Sequence, residues 1–210
     1  ISTQFPTKAK EITFFVILLS KRSEYLINYA IKKLRKLTLD ADTRKLIVKE
    51  GGIAPLLKLT QDGTEGQQEE AAAVLRNLTF DAETRKLIVE ANGIAIFVSL
   101  LNKESNNAKE QAAAALTNLA CNRINRKLIV TAQGIAPLLA LIQNGTEGQR
   151  KEAAAAFINL ADDADARREI AIHGGVEALV NLVNLGTKEQ PEAYKALLRI
   201  YKGTRTAKKL

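Results

Sequence analysis

A 41-residue period runs through this chain and restricts its fold more than any other feature. Leu34-Arg35-Lys36-Leu37 returns as Leu75-Arg76-Asn77-Leu78, Leu116-Thr117-Asn118-Leu119 and Phe157-Ile158-Asn159-Leu160, then one residue early as Leu197-Leu198-Arg199-Ile200. A second marker keeps the same beat: Gly51-Gly52-Ile53, Asn92-Gly93-Ile94, Gln133-Gly134-Ile135 and Gly174-Gly175-Val176. A fixed period of this size specifies stacked supersecondary units, none of which can bury its apolar face alone. Such a chain offers an extended surface rather than a central cleft.

Its 210 residues suffice for a sizeable core, and the sequence is rich in Ala, Val, Ile and Leu. The single Cys rules out an internal disulfide framework and fits a reducing, cytoplasmic or nuclear compartment. A first residue other than Met reads as a piece of a longer or trimmed chain. Ile12 to Leu19 is apolar apart from Thr13, but it is too short to span a bilayer and reads as a buried helix. Net charge is +8 and uneven: residues 1–39 carry +6, residues 195–210 carry +6, and residues 40–194 carry −4. Nucleic-acid binders place their basic stripe along the working face. A basic balance held at the two ends argues against that partner.

The unit from Asp81 to Cys121 shows the plan. Thr84 is a candidate N-cap for a short first helix over Arg85-Lys86-Leu87-Ile88-Val89, and Gly93 suits the left-handed backbone at its end. Ile94 to Leu101 is apolar at nearly every position and predicts a second helix buried on most sides. Neighbouring units put Pro55 and Pro137 in that helix's first turn, where a missing N–H costs nothing. After a polar turn, Ala108 to Leu119 predicts a third, Ala-rich helix that allows close packing between units. Leu75, Leu116 and Phe157 share one core slot, while Thr117 is expected on the groove or solvent side.

Over roughly residues 10–202 this pattern resembles the armadillo repeat family. The resemblance rests on Asn125-Arg126-Lys127-Leu128-Ile129-Val130, Gly51-Gly52-Ile53-Ala54-Pro55-Leu56-Leu57 and Ala112-Ala113-Ala114-Ala115-Leu116-Thr117-Asn118-Leu119. The turns Gly63-Thr64-Glu65-Gly66-Gln67 and Gly145-Thr146-Glu147-Gly148-Gln149 look most like armadillo-only proteins and the armadillo region of plant U-box ligases. The implied fold is an all-α, right-handed superhelical solenoid of about five units, a single domain over 1–210. Residues 1–39 form a partial or capping repeat, 40–80, 81–121, 122–162 and 163–202 form full repeats, and 203–210 form a basic tail.

In armadillo proteins the third helices line a concave groove, and the Asn of the Asn-Leu pair faces an extended peptide. Helical spacing places three positions, the Asn and those four and seven residues before it, on one face. The inner stripes are then Glu70-Ala73-Asn77, Gln111-Ala114-Asn118 and Glu152-Ala155-Asn159, flanked by Tyr29-Lys32-Lys36 and Glu192-Lys195-Arg199. The candidate peptide-binding residues are Asn77, Asn118 and Asn159, with Lys36, Arg199, Lys32, Lys195, Glu70, Gln111 and Glu152 around them. An Asn side chain both donates and accepts, so it can pair with a peptide backbone of any sequence. Alternatively, an Asn near a helix end bonds the carbonyls of its own helix. Armadillo receptors for basic localisation peptides carry Trp where this chain has Ala73, Ala114 and Ala155, so an importin-type role is not implied.

Arg44, Arg85, Arg126 and Arg167 recur once per unit and are expected to pair with nearby Asp and Glu side chains. His173 and Cys121 occur once, in slots that hold Ala or Phe elsewhere. No nucleophile–base pair, phosphate loop or metal-ligand spacing can be assembled, so neither catalysis nor a cofactor is expected. The expected function is a scaffold for a protein or peptide in extended conformation. Two alternatives stay open: docking of the basic ends on an acidic surface such as anionic membrane or RNA, and self-association through ends that expose Phe14, Phe15, Tyr194 and Tyr201.

Overall fold

The computed structural model describes residues 7–186 and 188–207, which form fourteen helices and no strand among the described residues. The chain divides into two compact units, Ile1–Ile96 and Phe97–Leu210, and passes from one to the other within α7. The first unit holds α1 (Lys8–Leu18), α2 (Glu24–Leu37), α3 (Ala41–Lys49), α4 (Ile53–Asp62), α5 (Glu65–Leu78) and α6 (Ala82–Glu90), then enters α7 (Gly93–Leu100). The second continues with α8 (Asn106–Leu119), α9 (Arg123–Thr131), α10 (Ile135–Asn144), α11 (Glu147–Leu160), α12 (Ala164–Ile172), α13 (Gly175–Asn184) and α14 (Gln190–Ala207). The short helices α3, α6, α9 and α12 start 41 residues apart, as do the long helices α5, α8 and α11.

Each short helix starts on a side-chain oxygen that accepts from its first-turn N–H groups: Asp40, Asp81, Asn122 and Asp163. Asp81, not Thr84, is therefore the cap of α6. The Thr84 hydroxyl instead donates to the same Oδ1 at 3.3 Å, and Thr43 does likewise to Asp40 at 2.6 Å. These bonds favour the ionised carboxylate. The Thr43 hydroxyl and N–H, helped by Lys8, hold the Asp40 carboxyl down at about 2, and the Thr84 N–H lowers that of Asp81.

The far ends of the short helices differ from expectation by one position. The left-handed residues are Gly51, Asn92, Gln133 and Gly174, with φ of 77°, 63°, 60° and 79°. The glycine that follows is required for space. A Cβ at Gly134 would lie 2.8 Å from Ile129 Cγ2, one at Gly175 would lie 2.6 Å from Ile170 Cγ2, and one at Gly93 would collide with Ile88 Cγ2. Those isoleucines are fully buried, so the glycine lets the second helix turn off directly against the core.

The second helices are the most apolar, with Leu56 and Leu57 of α4 and Leu138 and Leu139 of α10 buried. Third helices pack on the second helix of their own repeat and on each other: α2 on α5 in the first unit, and α8 on α11 on α14 in the second. Alanines 71–73, 112–115 and 153–154 are buried and permit this approach, while Leu75, Leu116 and Phe157 fill the shared core slot. At the start of α11, Thr146 and Gln149 form a reciprocal capping box, and Gln149 Nε2 also donates to the Asn106 carbonyl of α8 at 2.9 Å. Gln67 repeats this in the first unit, donating to Asn28 Oδ1 at 3.0 Å.

The recurring arginines do not pair with acids as expected. Arg44 Nη1 donates to the carbonyls of Thr38 and Leu39 at 2.8 and 3.2 Å, and Arg85 Nη1 to Thr79 and Phe80 at the same distances. Arg126 reaches Ala120 at 3.0 Å, and Arg167 reaches Ala161 at 2.6 Å. Each guanidinium closes the carbonyl end of the preceding third helix, where the helix dipole favours a cation. At the amino end of the chain Ile12, Phe15, Val16, Leu18 and Leu19 are core, so Phe15 is not part of an exposed end, whereas Phe14 is. At the carboxyl end α14 runs through Gly203 to Ala207, so the tail expected from residue 203 is helical that far. Gly203 leaves room for Arg167, whose Cζ would lie 2.6 Å from a Cβ there. Residues 1–6 and 208–210, assigned to the first repeat and the tail, lie outside the described residues.

Candidate functional site

The candidate site is the last two turns of each third helix, where helical spacing places the predicted stripes. In the first unit, Asn77 on α5 is 8% exposed, and its Nδ2 donates to Thr38 Oγ1, just past α2, at 2.9 Å. The Thr38 hydroxyl in turn donates to the Arg35 carbonyl at 2.7 Å. Glu70, expected to meet the ligand, accepts from Arg35 Nη1 with both carboxylate oxygens, each at 3.1 Å. Lys32 and Lys36 on α2 are exposed, and Lys33 lies over the Tyr29 ring, 5.4 Å from its centroid.

The second unit repeats the arrangement with different partners. Asn159 Nδ2 on α11 donates to the Thr117 carbonyl of α8 at 2.9 Å and approaches Cys121 Sγ at 3.7 Å. Thr117 is not on a solvent side: its hydroxyl lies 2.9 Å from the Ala113 carbonyl and 3.0 Å from that of Glu152. Asn118, Gln111 and Glu152 are half-buried on the same face, and Lys195 is exposed on α14. Arg199 Nη1 reaches both carboxylate oxygens of Asp162, at 2.6 and 2.7 Å, so its charge is matched at close range.

Asn77 and Asn159 therefore bond neither their own helix nor solvent alone. Their amide nitrogens tie each third helix to the one before, and among the described residues no group donates to the Oδ1 of either. In the first unit the face offers the Asn77 Oδ1 as an acceptor and exposed lysines on α2; in the second it offers the Asn159 Oδ1 and exposed Lys195 on α14. Ala73 and Ala114 are almost wholly buried, and Ala155 is half-buried. Sequence reasoning missed Arg35, Thr38 and Asp162. Thr38 has a register partner in Thr79 but Ala120 and Ala161 follow, so no repeating signal announces its role. Among the described residues no group of three His, Cys, Asp or Glu converges, and no helix is long and apolar enough to cross a membrane.

The family model for the ARM repeat region of plant U-box proteins matches residues 11–164. An engineered protein of known structure is similar with a TM-score of 0.86 and 32% identity, over 91% of this chain and 80% of that one. A designed armadillo repeat protein is similar with a TM-score of 0.84 and 26% identity, over 90% of this chain and 82% of its own. So is a designed armadillo repeat protein in complex with the peptide (KR)4, with a TM-score of 0.84 and 25% identity, over 90% and 81%. None of the curated proteins matches the chain.

Proposed function

Because the chain belongs to the armadillo repeat family, we propose that it is a non-catalytic scaffold that binds an extended segment of another protein on its third-helix face. The observation that carries this reading is the asymmetry of the asparagines. With Nδ2 held by the preceding third helix, the carboxamide is fixed in orientation and its Oδ1 remains to accept a ligand backbone N–H. Asn77 and Asn159 are rungs on this ground, and Asn118 joins them by its register in the repeat. Gln111 and Glu152 meet side chains of the ligand, while Glu70 is presented there as an ion pair with Arg35. Lys32 and Lys36 in one unit, and Lys195 in the other, favour acidic residues at its flanks, while Arg199 is already matched by Asp162. A designed armadillo repeat protein that binds (KR)4 supports the same use of the fold.

The test is isothermal titration of an array of extended peptides, with (KR)4 and acid-flanked versions of it as probes. Each backbone hydrogen bond is worth about 0.5–1.5 kcal/mol. Changing Asn77, Asn118 and Asn159 together to Ala is then expected to weaken binding by tenfold to about a thousandfold at a temperature where the variant is fully helical. Lys36→Glu is expected to turn the preference away from acidic flanks. Unchanged affinity in the triple variant, or binding of anionic vesicles and polyanions in place of any peptide, overturns the reading in favour of the basic ends.

A further inference from the structure

One position just past a third helix recurs in the two units with opposite contents. In the second unit it holds Asp162, which receives Arg199 Nη1 on both carboxylate oxygens across a separation of 37 residues. Arg167 lines the same crevice, and its Nη1 closes on the Ala161 carbonyl at 2.6 Å. In the first unit Leu39, Arg44 and Arg76 repeat the spacing of Asp162, Arg167 and Arg199 without a shift. Arg44 makes the matching bond, to the Thr38 carbonyl at 2.8 Å, but the position of the carboxylate is held by Leu39, which is 80% exposed. Among the described residues no acid or carbonyl pairs with Arg76, whose Nε is shut away from solvent without a hydrogen-bond partner. Its guanidinium lies 5.6 Å from the centroid of the half-exposed Phe80 ring, and that of Arg44 lies 5.8 Å from the same ring. The acids Asp40 and Glu70 are engaged elsewhere, by Lys8 and by Arg35.

We infer that Arg76, backed by Arg44 and Phe80, receives a carboxylate side chain of the bound segment, in the place that Asp162 fills in the second unit. This rests on the reading of the third-helix face as a peptide site. Arg76 immediately precedes Asn77, whose Oδ1 is the acceptor proposed for a ligand N–H. Side chains of an extended segment alternate between its two sides, so every second residue can turn towards the guanidinium. A planar guanidinium matches the two coplanar oxygens of a carboxylate, as Arg199 shows with Asp162. Two like charges near one ring raise the local potential, and a partly dry setting makes a pair there stronger than one in open solvent. Lys32 and Lys36 stand in solvent and speed the approach of an acidic segment, whereas Arg76 fixes which of its residues is acidic. A lipid headgroup is the poorer match, because the acceptor at Asn77 suits a peptide N–H and offers nothing to a phosphate.

The experiment uses the whole chain and fluorescence anisotropy with a labelled, end-capped peptide of alternating Gly and Glu, beside the same peptide with Gln for Glu. Saturable binding of the Glu peptide is expected, with the Gln peptide about tenfold weaker. Arg76→Gln should weaken the Glu peptide about tenfold and leave the Gln peptide unchanged, which a general loss of structure would not do. Leu39→Asp installs the carboxylate that the second unit carries. It should block the Glu peptide and raise the urea midpoint of the parent, but not that of Arg76→Gln. The triple Asn→Ala variant separates the two readings. Loss of the Glu peptide there with Arg76→Gln silent overturns this site and keeps the asparagine rungs, and the reverse pattern keeps the site and overturns the rungs. No saturable binding, equal affinity for the two peptides, the same response to Leu39→Asp in both backgrounds, or Arg76-dependent binding of phosphatidylserine vesicles in place of the peptide also overturns the proposal.

Discussion

The two kinds of corner between first and second helices have the same backbone and different residues. At the first and last corners the left-handed position is Gly51 and Gly174, while at the two between it is Asn92 and Gln133, with φ within 19° across all four. The following residue is Gly at all four. The difference separates two constraints that sequence inspection merges. The second position is set by collision with a buried isoleucine, which no side chain escapes. The first is set by intrinsic backbone preference, which Asn tolerates and Gln meets at some cost.

This comparison can be broken most sharply at the second position. Gly134→Ala and Gly175→Ala are both expected to destabilise by about 1–3 kcal/mol, read as urea midpoints, because each forces a Cβ into its isoleucine. Replacing Ile129 by Ala should make the Gly134 change milder than the two single losses added together, and strict additivity would refute the collision. At the first position the expected effects are smaller, and their sign follows the direction of the change. Gly51→Ala should cost about 1–2 kcal/mol for its left-handed backbone alone, since a Cβ there enters open space. Gln133→Gly should stabilise by about 0.5–1 kcal/mol, and Asn92→Gly by less, since Asn already visits this conformation. A destabilised Gln133→Gly would show that the Gln side chain, not the backbone, decides that corner.

The smallest effect lies at the other end of the same helices. Asp40 ionises at about 2 in the fold against 3.8 for the free group, and Asp81 is also lowered. A carboxylate stabilised in the folded state contributes fully above the unfolded value and is lost as pH falls towards the folded one. The start of α3 should therefore loosen between about pH 4 and pH 2, and that of α6 as pH falls below about 4, seen as faster amide exchange at Thr43 and Thr84. The start of α9, capped by the neutral Asn122, should not respond, and Asp40→Asn should remove the response at α3.

Much of this architecture is legible in the sequence because a period is a statement about backbone. The recurrence of α5, α8 and α11, the core slot of Leu75, Leu116 and Phe157, and the close packing at the alanines all follow from spacing, although α8 begins at Asn106, two residues before the expected Ala108, and α5 and α11 likewise begin inside the expected turns. What escaped was decided by partners some forty residues away. Asn77 finds Thr38, Asn159 finds the Thr117 carbonyl, and Arg199 finds Asp162, each by a different chemistry and at a different offset. The shift of the left-handed residue from Gly93 to Asn92 escaped for a local reason. Two adjacent positions each favour Gly, and composition does not say which is strained and which is crowded.

The arginine that opens each full repeat has a consequence for how such a chain can change length. Arg44, Arg85, Arg126 and Arg167 each neutralise the end of the long helix before them, so every module is finished by its successor. Because these arginines stand 41 residues apart, recombination that inserts or removes a whole period, at whatever point the crossover falls, restores one arginine to each open end. A crossover out of register leaves a carbonyl cluster bare. The chain can therefore be edited by gene duplication in whole steps, and its joints screen the products for phase.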